Sequence, residues 1–535
     1  MRTLRPATLI AATLTLTLVA CTGGDPAPGP DRTTTPTVTP GPQPEDVVAT
    51  AAIPSDGMEI EVGVHPVVRV GDLAVLTLDL TAQDPIPEIG WVHVEGFGTQ
   101  GITHHVTRHE PSNVRLVDLE RDVVLHVATD AAGDPVVAPE RWGTLDEPEG
   151  GRLQIAYAAP DPRATEVAVF LPGAPMVAAV PVIDGDVPSS VRPATASSSA
   201  TATSDVDVLD LDAVADAPVF SLESSSAELE GAVQTVESTE KVDIALGSDV
   251  LFEFDQAVLT PAADAALRLV AQRLTEREPG TVGVVGHTDD QGDDAYNADL
   301  SLARAQTVAD ALGALVDTAS YPMTVDGRGE AEPFVPNDSE ENRALNRRVT
   351  VTLTSTVVTR TDLTTTGELP PFGEDGQVGP AGTPLRIEGG RRVWEVDATA
   401  RRVHGHVVVD VTVHGADDEE NGMGDTIGSL DGGPRGRGAG TSSPDASARG
   451  VLLHGATRLF PLDYRTGESE QHPGGEWFPL TDLASGGRID GGQTRTYTFV
   501  FPSLDVDSVT FQAGDGDMST RDFRLVDLPV TPGGA

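Results

Sequence analysis

The stretch HTDDQGDDAYNADLSLARA (residues 287–305) joins a strand pattern to a helix pattern and decides the fold at the centre of this chain. The apolar run Thr281–Val285 precedes it and predicts a buried strand. The Gly- and Asp-rich residues after Gly286 predict a loop, and helical spacing begins near Ser301. One face of this helix carries the apolar residues Leu302, Ala305, Val308, Ala309, Leu312 and Leu315.

Strand and helix patterns continue to alternate on both sides of this stretch. Val250–Phe254 predicts a short strand, and Pro261 stands where the first turn of a helix tolerates proline. The apolar residues at helical spacing after it are Ala266, Leu267, Val270 and Leu274. Thr324–Gly327 and Arg348–Leu353 predict further strands. The residues alone indicate a compact α/β unit with acidic and basic side chains beside one loop.

Four motifs of this unit occur in the order and at the spacing of a known family. They are LFEFDQAVLTPAADAAL (251–267), VVGHTDDQGDDAYNADLSLARAQTVADAL (284–312), GRGEAEP (327–333) and ENRALNRRVTV (341–351). Together they resemble the C-terminal domain of OmpA, which peptidoglycan-associated lipoproteins and flagellar stator proteins share. The resemblance covers residues 240–355 and implies an α+β domain of βαβαβ type, with a mixed sheet and helices on one face.

The resemblance also implies a ligand and the residues that bind it. Members of the family hold the diaminopimelate of a peptidoglycan stem peptide by its zwitterionic end. The family's aspartate falls on Asp289 and its helix arginine on Arg304. A carboxylate accepts hydrogen bonds from an ammonium group, and a guanidinium clamps a carboxylate through two parallel bonds. Three further residues fall at peptidoglycan-binding positions: Arg347, Asp255 and Asn297.

Three further expectations concern individual residues of this implied site. Arg304 is expected near the start of its helix, where free helix N–H groups would share its anionic ligand. For Arg347 and the adjacent Arg348, structural salt bridges are an alternative to ligand binding. The family usually has glycine where this chain has Asn342, and asparagine tolerates left-handed backbone, so we expect the turn to be retained.

The N-terminus has the pattern of a bacterial lipoprotein signal. Arg2 and Arg5 precede an apolar run of 14 residues, Ala7 to Ala20, which suits a signal-peptide core better than a membrane span. The ending Leu-Val-Ala-Cys resembles a lipobox and implies a lipid anchor on Cys21, the only cysteine of the chain. We therefore expect an exported cell-envelope protein, on the outer face of the plasma membrane or in the outer membrane of a two-membrane cell.

Composition limits the partners and predicts the connecting segments. The formal net charge is −48, with 83 acidic and 35 basic residues. Nucleic acids and anionic lipid surfaces are bound through Lys and Arg, so we expect neither as a partner. After the signal peptide, 1–20, low-complexity composition predicts a Pro/Thr-rich tether at 21–45, a flexible acidic linker at 186–239 and a linker at 356–390. The longest of these, 54 residues, would reach roughly 40 Å as a coil.

Strand patterns fill the two flanking segments, 46–185 and 391–535. Those of the first segment are Glu59–Val64, Leu73–Leu80, Val114–Leu119, Val123–Ala128, Leu153–Ala158 and Glu166–Leu171. Alternating apolar residues between Gly, Pro and Asp clusters predict two mainly-β, immunoglobulin-like sandwiches. Similar spacings around Trp142 and Trp477 suggest that the two are diverged copies. Residues 415–448 interrupt the second with a Gly/Asp/Ser-rich insertion, interpreted as a mobile loop.

Other constellations point to no cofactor and no metal. The histidines at 104, 105 and 109, and those at 404, 406 and 414, lack a metal-site spacing and an accompanying cysteine. The acidic runs at 417–421 and 514–517 do not fit the twelve-residue calcium loop; solvated loops are expected there, with weak calcium binding as the alternative. No nucleophile stands at elbow spacing beside His287, so enzymatic activity is not expected.

The sequence as a whole supports a non-enzymatic lipoprotein that links a membrane to peptidoglycan through the diaminopimelate of the stem peptides. The alternative is a surface adhesin or partner-binding protein. In that case the sandwiches would bind an unknown protein partner, and the OmpA-like domain would only anchor the chain to the wall.

Overall fold

The structure is a computed structural model that describes most of the chain between residues 41 and 533. The described residues are 41–55, 58–83, 92–93, 113–139, 144–145, 150–190, 208–228, 232–238, 241–355, 367–389, 392–417, 430, 449–467, 477–483, 489, 491–516 and 519–533. Outside them lie the signal segment, Cys21, most of the tether, the histidines at 104, 105 and 109, Trp142 and nearly all of the insertion at 415–448. Within the described part, no helix has both the length and the apolar character needed to cross a bilayer.

In the first β region, the described residues between 49 and 184 form twelve strands. They are β1 (Ala49–Ser55), β2 (Met58–Val64), β3 (Val67–Val70), β4 (Leu73–Ala82), β5 (Val92–His93), β6 (Arg115–Asp118), β7 (Val123–Leu125), β8 (Val137–Ala138), β9 (Thr144–Leu145), β10 (Gly151–Ala158), β11 (Glu166–Phe170) and β12 (Val177–Asp184). The order β1–β2–β4–β10–β8 forms one antiparallel set and β7–β6–β11–β12 another. Both sets contribute side chains to one apolar core. All six strands predicted from the sequence are present, with ends that differ by no more than three residues.

The predicted linker at 186–239 is partly built into sheets. Its described residues, 186–190, 208–228 and 232–238, include a 3-10 turn at Leu211–Ala213, followed by β13 (Val219–Glu228) and β14 (Val233–Glu237). β13 pairs antiparallel with β7 near its start and with β14 near its end. The prediction of a flexible linker is therefore wrong for these residues. Phe220 and Leu222 face inward at strand spacing, and the surrounding serines mask this pattern in the composition.

The central unit is a mixed sheet with helices packed against it. Its elements are β15 (Lys241–Gly247), α1 (Ser248–Leu251), α2 (Ala263–Thr275), β16 (Thr281–Gly286), α3 (Asp294–Gly313), β17 (Met323–Gly327), α4 (Glu340–Asn346) and β18 (Arg348–Thr354). The strand order is β14–β15–β18–β16–β17, and within it only β16 and β17 run parallel. Apolar residues of α2 and α3 share a core with alternate residues of β15, β16 and β18.

One predicted strand of this unit is misplaced. Val250–Phe254 was expected to be a strand, but the strand is β15, and residues 248–251 form a helical turn instead. Lys241–Gly247 alternates buried and partly exposed residues, whereas the amide of Ser248 donates to the carbonyl of Arg347 at 2.8 Å. This distant contact positions the turn of α1 beside the start of β18.

The second β region begins inside the predicted linker at 356–390. Its strands are β19 (Gln377–Pro380), β20 (Leu385–Gly389), β21 (Arg392–Val403), β22 (His406–Gly415), β23 (Gly450–His454), β24 (Thr457–Leu459), β25 (Asp463–Arg465), β26 (Trp477–Pro479), β27 (Thr494–Ser503), β28 (Ser508–Ala513) and β29 (Phe523–Pro532). These strands form two antiparallel sets, β20–β21–β22–β27 and β24–β23–β28–β29. Both sets contribute side chains to one core. Because β19 pairs with β29 and β20 with β21, residues 377–389 differ from the linker that was predicted.

The two β regions pack against each other. One apolar cluster contains residues of both, among them Phe170 and Val408. Asp482 of the second region accepts hydrogen bonds from the first, from the Asn113 side chain at 3.2 Å and the Gly173 amide at 3.1 Å. β13 pairs with β24 and β25 as well as with β7 and β14. This single strand therefore connects both β regions to the central sheet.

Candidate functional site

The loop between β16 and α3 carries the quoted motif and depends on close packing of helix against sheet. A Cβ atom on Gly286 would lie 2.0 Å from the carbonyl oxygen of Ser301, and one on Gly327 would lie 2.5 Å from the amide nitrogen of Leu302. Only glycine allows α3 to approach the ends of β16 and β17 this closely. Asp293 caps α3 by accepting a hydrogen bond from the amide of Ala295 at 3.0 Å.

Hydrogen bonds from the side chain of Asn297 hold this loop in place. It is 2% exposed, and its side-chain amide donates to Glu330 Oε2 at 2.8 Å. The same nitrogen lies 3.2 Å from the carbonyl of Gln291 and 3.4 Å from that of Asp289. The sequence predicted that Asn297 binds peptidoglycan. In the structure, its side-chain amide orients the loop.

Asp289 lies in this loop with its carboxylate partly buried. The residue is 7% exposed. Its Oδ2 accepts a hydrogen bond from Arg347 Nη1 at 2.7 Å, and its Oδ1 accepts one from the amide of Gln291 at 3.1 Å. A carboxylate has about four lone-pair sites, so both oxygens can still accept further bonds.

Arg347 is the centre of an ion-pair network. It forms a two-pronged contact with Asp249, Nε to Oδ1 at 3.0 Å and Nη2 to Oδ2 at 2.7 Å. It also lies 3.0 Å from Glu340 Oε1 and pairs with Asp289. These hydrogen bonds, chiefly those to Asp249, raise the pKa of Arg347. Arg347 thus forms the structural salt bridges that were one of the two alternatives left by the sequence.

Arg304 lies in the middle of α3, and its contacts differ from those of Arg347. The helix begins at Asp294, seven residues before the predicted start, so Arg304 is ten residues from its first residue. The expectation that helix N–H groups would share its ligand is therefore wrong. Its Nε donates to the carbonyl of Gln256 at 3.0 Å, and its Cζ is 5.3 Å from the centre of the Phe252 ring. Among the described residues, neither of its terminal nitrogens has a hydrogen-bond partner.

Asp255 is an exposed carboxylate whose charge acts on Arg304. It adopts a positive φ of 57°, and its Oδ1 accepts a hydrogen bond from the Tyr296 hydroxyl at 2.9 Å. Burial lowers the pKa of Arg304, while the charges of Asp249 and Asp255 oppose that change. The two carboxylates therefore help to keep a mostly buried guanidinium charged.

The cluster as a whole has an excess of negative charge. Two guanidinium groups, Arg304 and Arg347, stand among four carboxylates, which gives a net charge of −2. The carboxylates belong to Asp249, Asp255, Asp289 and Glu340. Such a cluster can attract a cationic group while Arg304 offers its terminal N–H donors to an anionic group.

Comparison with known proteins assigns this unit to a family. The model described as OmpA family matches residues 251–347. The putative lipoprotein YfiB of Escherichia coli (strain K12) is 33% identical over 119 residues, which are 22% of this chain and 74% of that protein. The chain belongs to the OmpA family.

Two other proteins are similar to a part of this OmpA-family chain. Outer membrane porin F of Pseudomonas fluorescens is 39% identical over 101 residues, which are 19% of this chain and 31% of the porin. The chain thus spans about a third of that relative's length. The solved cell wall anchor of the T6SS from Pseudomonas aeruginosa is 33% identical, with a TM-score of 0.21, over 23% of this chain and 88% of that one.

Several residues of the OmpA-family site were missed from the sequence. Asp249 and Glu340 lie just outside the quoted motifs, at two residues and one residue before them. Tyr296 and Glu330 lie inside the motifs, but nothing in their spacing revealed that they bind Asp255 and Asn297. A carboxylate next to a family motif was the only available signal for Asp249 and Glu340.

The other polar constellations have structural partners where they are described. His406 Nε2 is 2.9 Å from Asp122 Oδ1, and His414 Nδ1 is 3.0 Å from Thr494 Oγ1. Burial, followed by the positive charge of Arg348, lowers the pKa of His287 to about 4. Among the described residues, no group of three or more His, Cys, Asp or Glu side chains is placed to hold a metal ion.

Proposed function

We propose that this OmpA-family protein is a non-enzymatic envelope lipoprotein that binds peptidoglycan noncovalently and links a membrane to the wall. The observation that carries the proposal is the Arg304 guanidinium, whose terminal nitrogens are unpaired among the described residues beside a cluster of net negative charge. A ligand that carries both an ammonium and a carboxylate on one carbon satisfies both halves of this site. The end of diaminopimelate in a stem peptide is such a ligand.

Each residue of the cluster has a distinct task in this proposal. Arg304 clamps the ligand carboxylate through two parallel N–H donors, and Asp289 accepts hydrogen bonds from the ammonium. Arg347 holds the Asp289 carboxylate in place at 2.7 Å, while Asn297 holds the loop that carries it. Asp255, on the exposed side, adds a second carboxylate for the ammonium.

The remaining parts of the chain complete the proposed tether. A lipid on Cys21 would hold one end in a membrane, and the pocket would hold the wall. Attachment at two points raises the effective concentration of the second contact, so a weak pocket suffices. The names of two relatives, a putative lipoprotein and an outer membrane porin, agree with an envelope location. We interpret the two β regions as immunoglobulin-like sandwiches flanking the domain at 240–355.

The ligand assignment is tested by sedimentation with two kinds of purified peptidoglycan. The mature protein is mixed with walls whose stem peptides contain diaminopimelate, and with walls that contain lysine, which lacks the second carboxylate. We expect retention on the first kind only, and its loss in Asp289→Asn and Arg304→Gln. Arg268→Gln is the matched control, because Arg268 is an exposed arginine on α2 that pairs only with Asp264 among the described residues. Equal retention on both walls would remove the case for diaminopimelate.

The lipid anchor is tested separately. Cells grown with a labelled fatty acid should incorporate the label into the wild-type protein and not into Cys21→Ser. Label retained by the serine variant would contradict attachment at Cys21.

A further inference from the structure

A second cavity lies on the other face of the central sheet. Its volume is about 590 Å³, within the range of small-molecule pockets. Asp243 and Ala245 of β15 line it, and they alternate with the β15 residues that pack under α2 and α3. Trp477 and Arg465 of the second β region complete its wall. None of the residues assigned above to the peptidoglycan site lines this cavity.

Two guanidinium groups stack on aromatic rings in the wall of this cavity. Arg348 Cζ lies 5.5 Å from the centre of the Phe334 ring, and Arg465 Cζ lies 5.9 Å from that of Trp477. Stacking on a ring uses the flat face of a guanidinium and leaves the N–H donors in its plane free to bind an anion. Arg465 therefore presents a donor edge backed by an apolar surface, and Arg348 offers the N–H donors that its two backbone hydrogen bonds do not use.

Within the described part of the chain, these two arginines form no ion pair with a carboxylate, unlike the other cations of the cavity. Lys241 and Arg328 each have a carboxylate partner, at 2.6 Å and 2.9 Å. Arg348 donates only to two backbone carbonyls, at 3.3 Å and 3.2 Å, and Arg465 makes no ion pair with any residue that the structure describes. Burial lowers the pKa of Arg348 to about 10, and the charge of Glu332 opposes that change only in part.

The balance of charge in the cavity differs from that of the chain. The described residues that line it include four cations and three carboxylates, a net charge of +1, whereas the whole chain carries −48. An anion entering the cavity would meet two guanidinium groups that have no ion pair with any described residue and still have N–H donors to offer. Apolar side chains, among them Val236 and Leu345, form part of the remaining lining.

We propose that this cavity binds a small ligand that carries a carboxylate or a phosphate, with Arg348 and Arg465 as its anchors. The bidentate donor edge of arginine fits both groups. The proposal is independent of the diaminopimelate pocket, because it involves the opposite face of the sheet and different residues. It gives the contact between the central domain and the second β region a ligand-binding role, since Arg465 and Trp477 come from that region.

The test uses three probes that share one sugar ring. They are N-acetylglucosamine, which is neutral, N-acetylmuramic acid, which adds a carboxylate, and N-acetylglucosamine 1-phosphate. None contains diaminopimelate, so failure here would leave the peptidoglycan proposal untouched. Calorimetric titration of the mature protein should detect one or both charged probes, and the neutral sugar should bind at least tenfold more weakly. Binding by the carboxylate alone or the phosphate alone would support the proposal and identify the source of the anion.

Three variants complete the test. Arg465→Gln and Arg348→Gln should each weaken the charged probe on the order of tenfold. Arg386→Gln is the matched control, because Arg386 is an exposed arginine on β20 outside the cavity. Arg465 is exposed, so its variant is expected to fold, which circular dichroism can check even if Arg348→Gln is unstable. Equal binding of neutral and charged probes, no binding of any probe, or unchanged affinity in a folded Arg465→Gln would overturn the proposal.

Discussion

Replacing Arg304 by lysine and by glutamine should weaken ligand binding in two separate steps. The carbonyl of Gln256 holds the guanidinium through Nε at 3.0 Å, which leaves both terminal nitrogens for a ligand carboxylate. A hydrogen bond to a charged group contributes about 1.5–3 kcal/mol. Lysine keeps the charge but loses the second parallel bond, a cost of about 1.5 kcal/mol or tenfold in Kd. Glutamine loses the charge as well, a cost of about 3 kcal/mol or on the order of a hundredfold.

The assay is calorimetric titration of the mature protein with a soluble stem peptide that contains diaminopimelate. Arg268→Lys and Arg268→Gln serve as matched controls on α2 and should bind like the wild type. Near-ultraviolet circular dichroism checks that the core around Phe252 is retained. If lysine and glutamine weakened binding equally, the two-donor clamp would be refuted, and if neither weakened it, Arg304 would not contact the ligand.

Three further predictions concern stability. Asp482→Ala breaks a buried ion pair that is 1% exposed and should cost about 3–5 kcal/mol in urea unfolding, whereas the exposed Asp505→Ala should change little. His287 has its folded pKa lowered from 6.5 to about 4, so the unfolded chain binds its proton first as pH falls, and stability should drop by about 2 kcal/mol between pH 7 and pH 5. Thermal unfolding should show this loss in the wild type and a smaller one in His287→Asn. Gly286→Ala should cost about 3 kcal/mol and abolish wall binding, because its Cβ would strike backbone, whereas Gly283→Ala meets nothing closer than 3.8 Å.

Each of these predictions has a contrary outcome. Similar unfolding of Asp482→Ala and Asp505→Ala would mean that the two β regions do not depend on the buried pair. Parallel pH profiles for the wild type and His287→Asn would place the acid sensitivity elsewhere. Wall binding retained by Gly286→Ala would show that α3 does not need its close approach to β16.

The predictable part of the site was its linear motif, and the unpredictable part was its long-range contacts. Asp289 and Arg304 belong to one strand–loop–helix stretch, so the sequence motif alone was enough to predict them as site residues. The first turns of α3 carry too few apolar residues for helical spacing to reveal them, and only the cap at Asp293 marks the true start. The helical turn at Ser248 and the pairing of Leu222 with Tyr464 depend on residues far away in the chain. Local sequence patterns do not indicate which distant residues a segment will pair with. For this reason, strands in two segments were predicted to be linkers.

The strand β13 changes what the chain can do when it is held at both ends. A flexible linker would have allowed the distance between the OmpA-like domain and the first β region to vary. With β13 hydrogen-bonded to both β regions and to β14, the folded body from the first β region to the pocket has a set length. Under the attachment proposed above, a pull between membrane and wall could lengthen the part from the first β region to the pocket only by separating paired strands, which leaves extension to the predicted tether at 21–45.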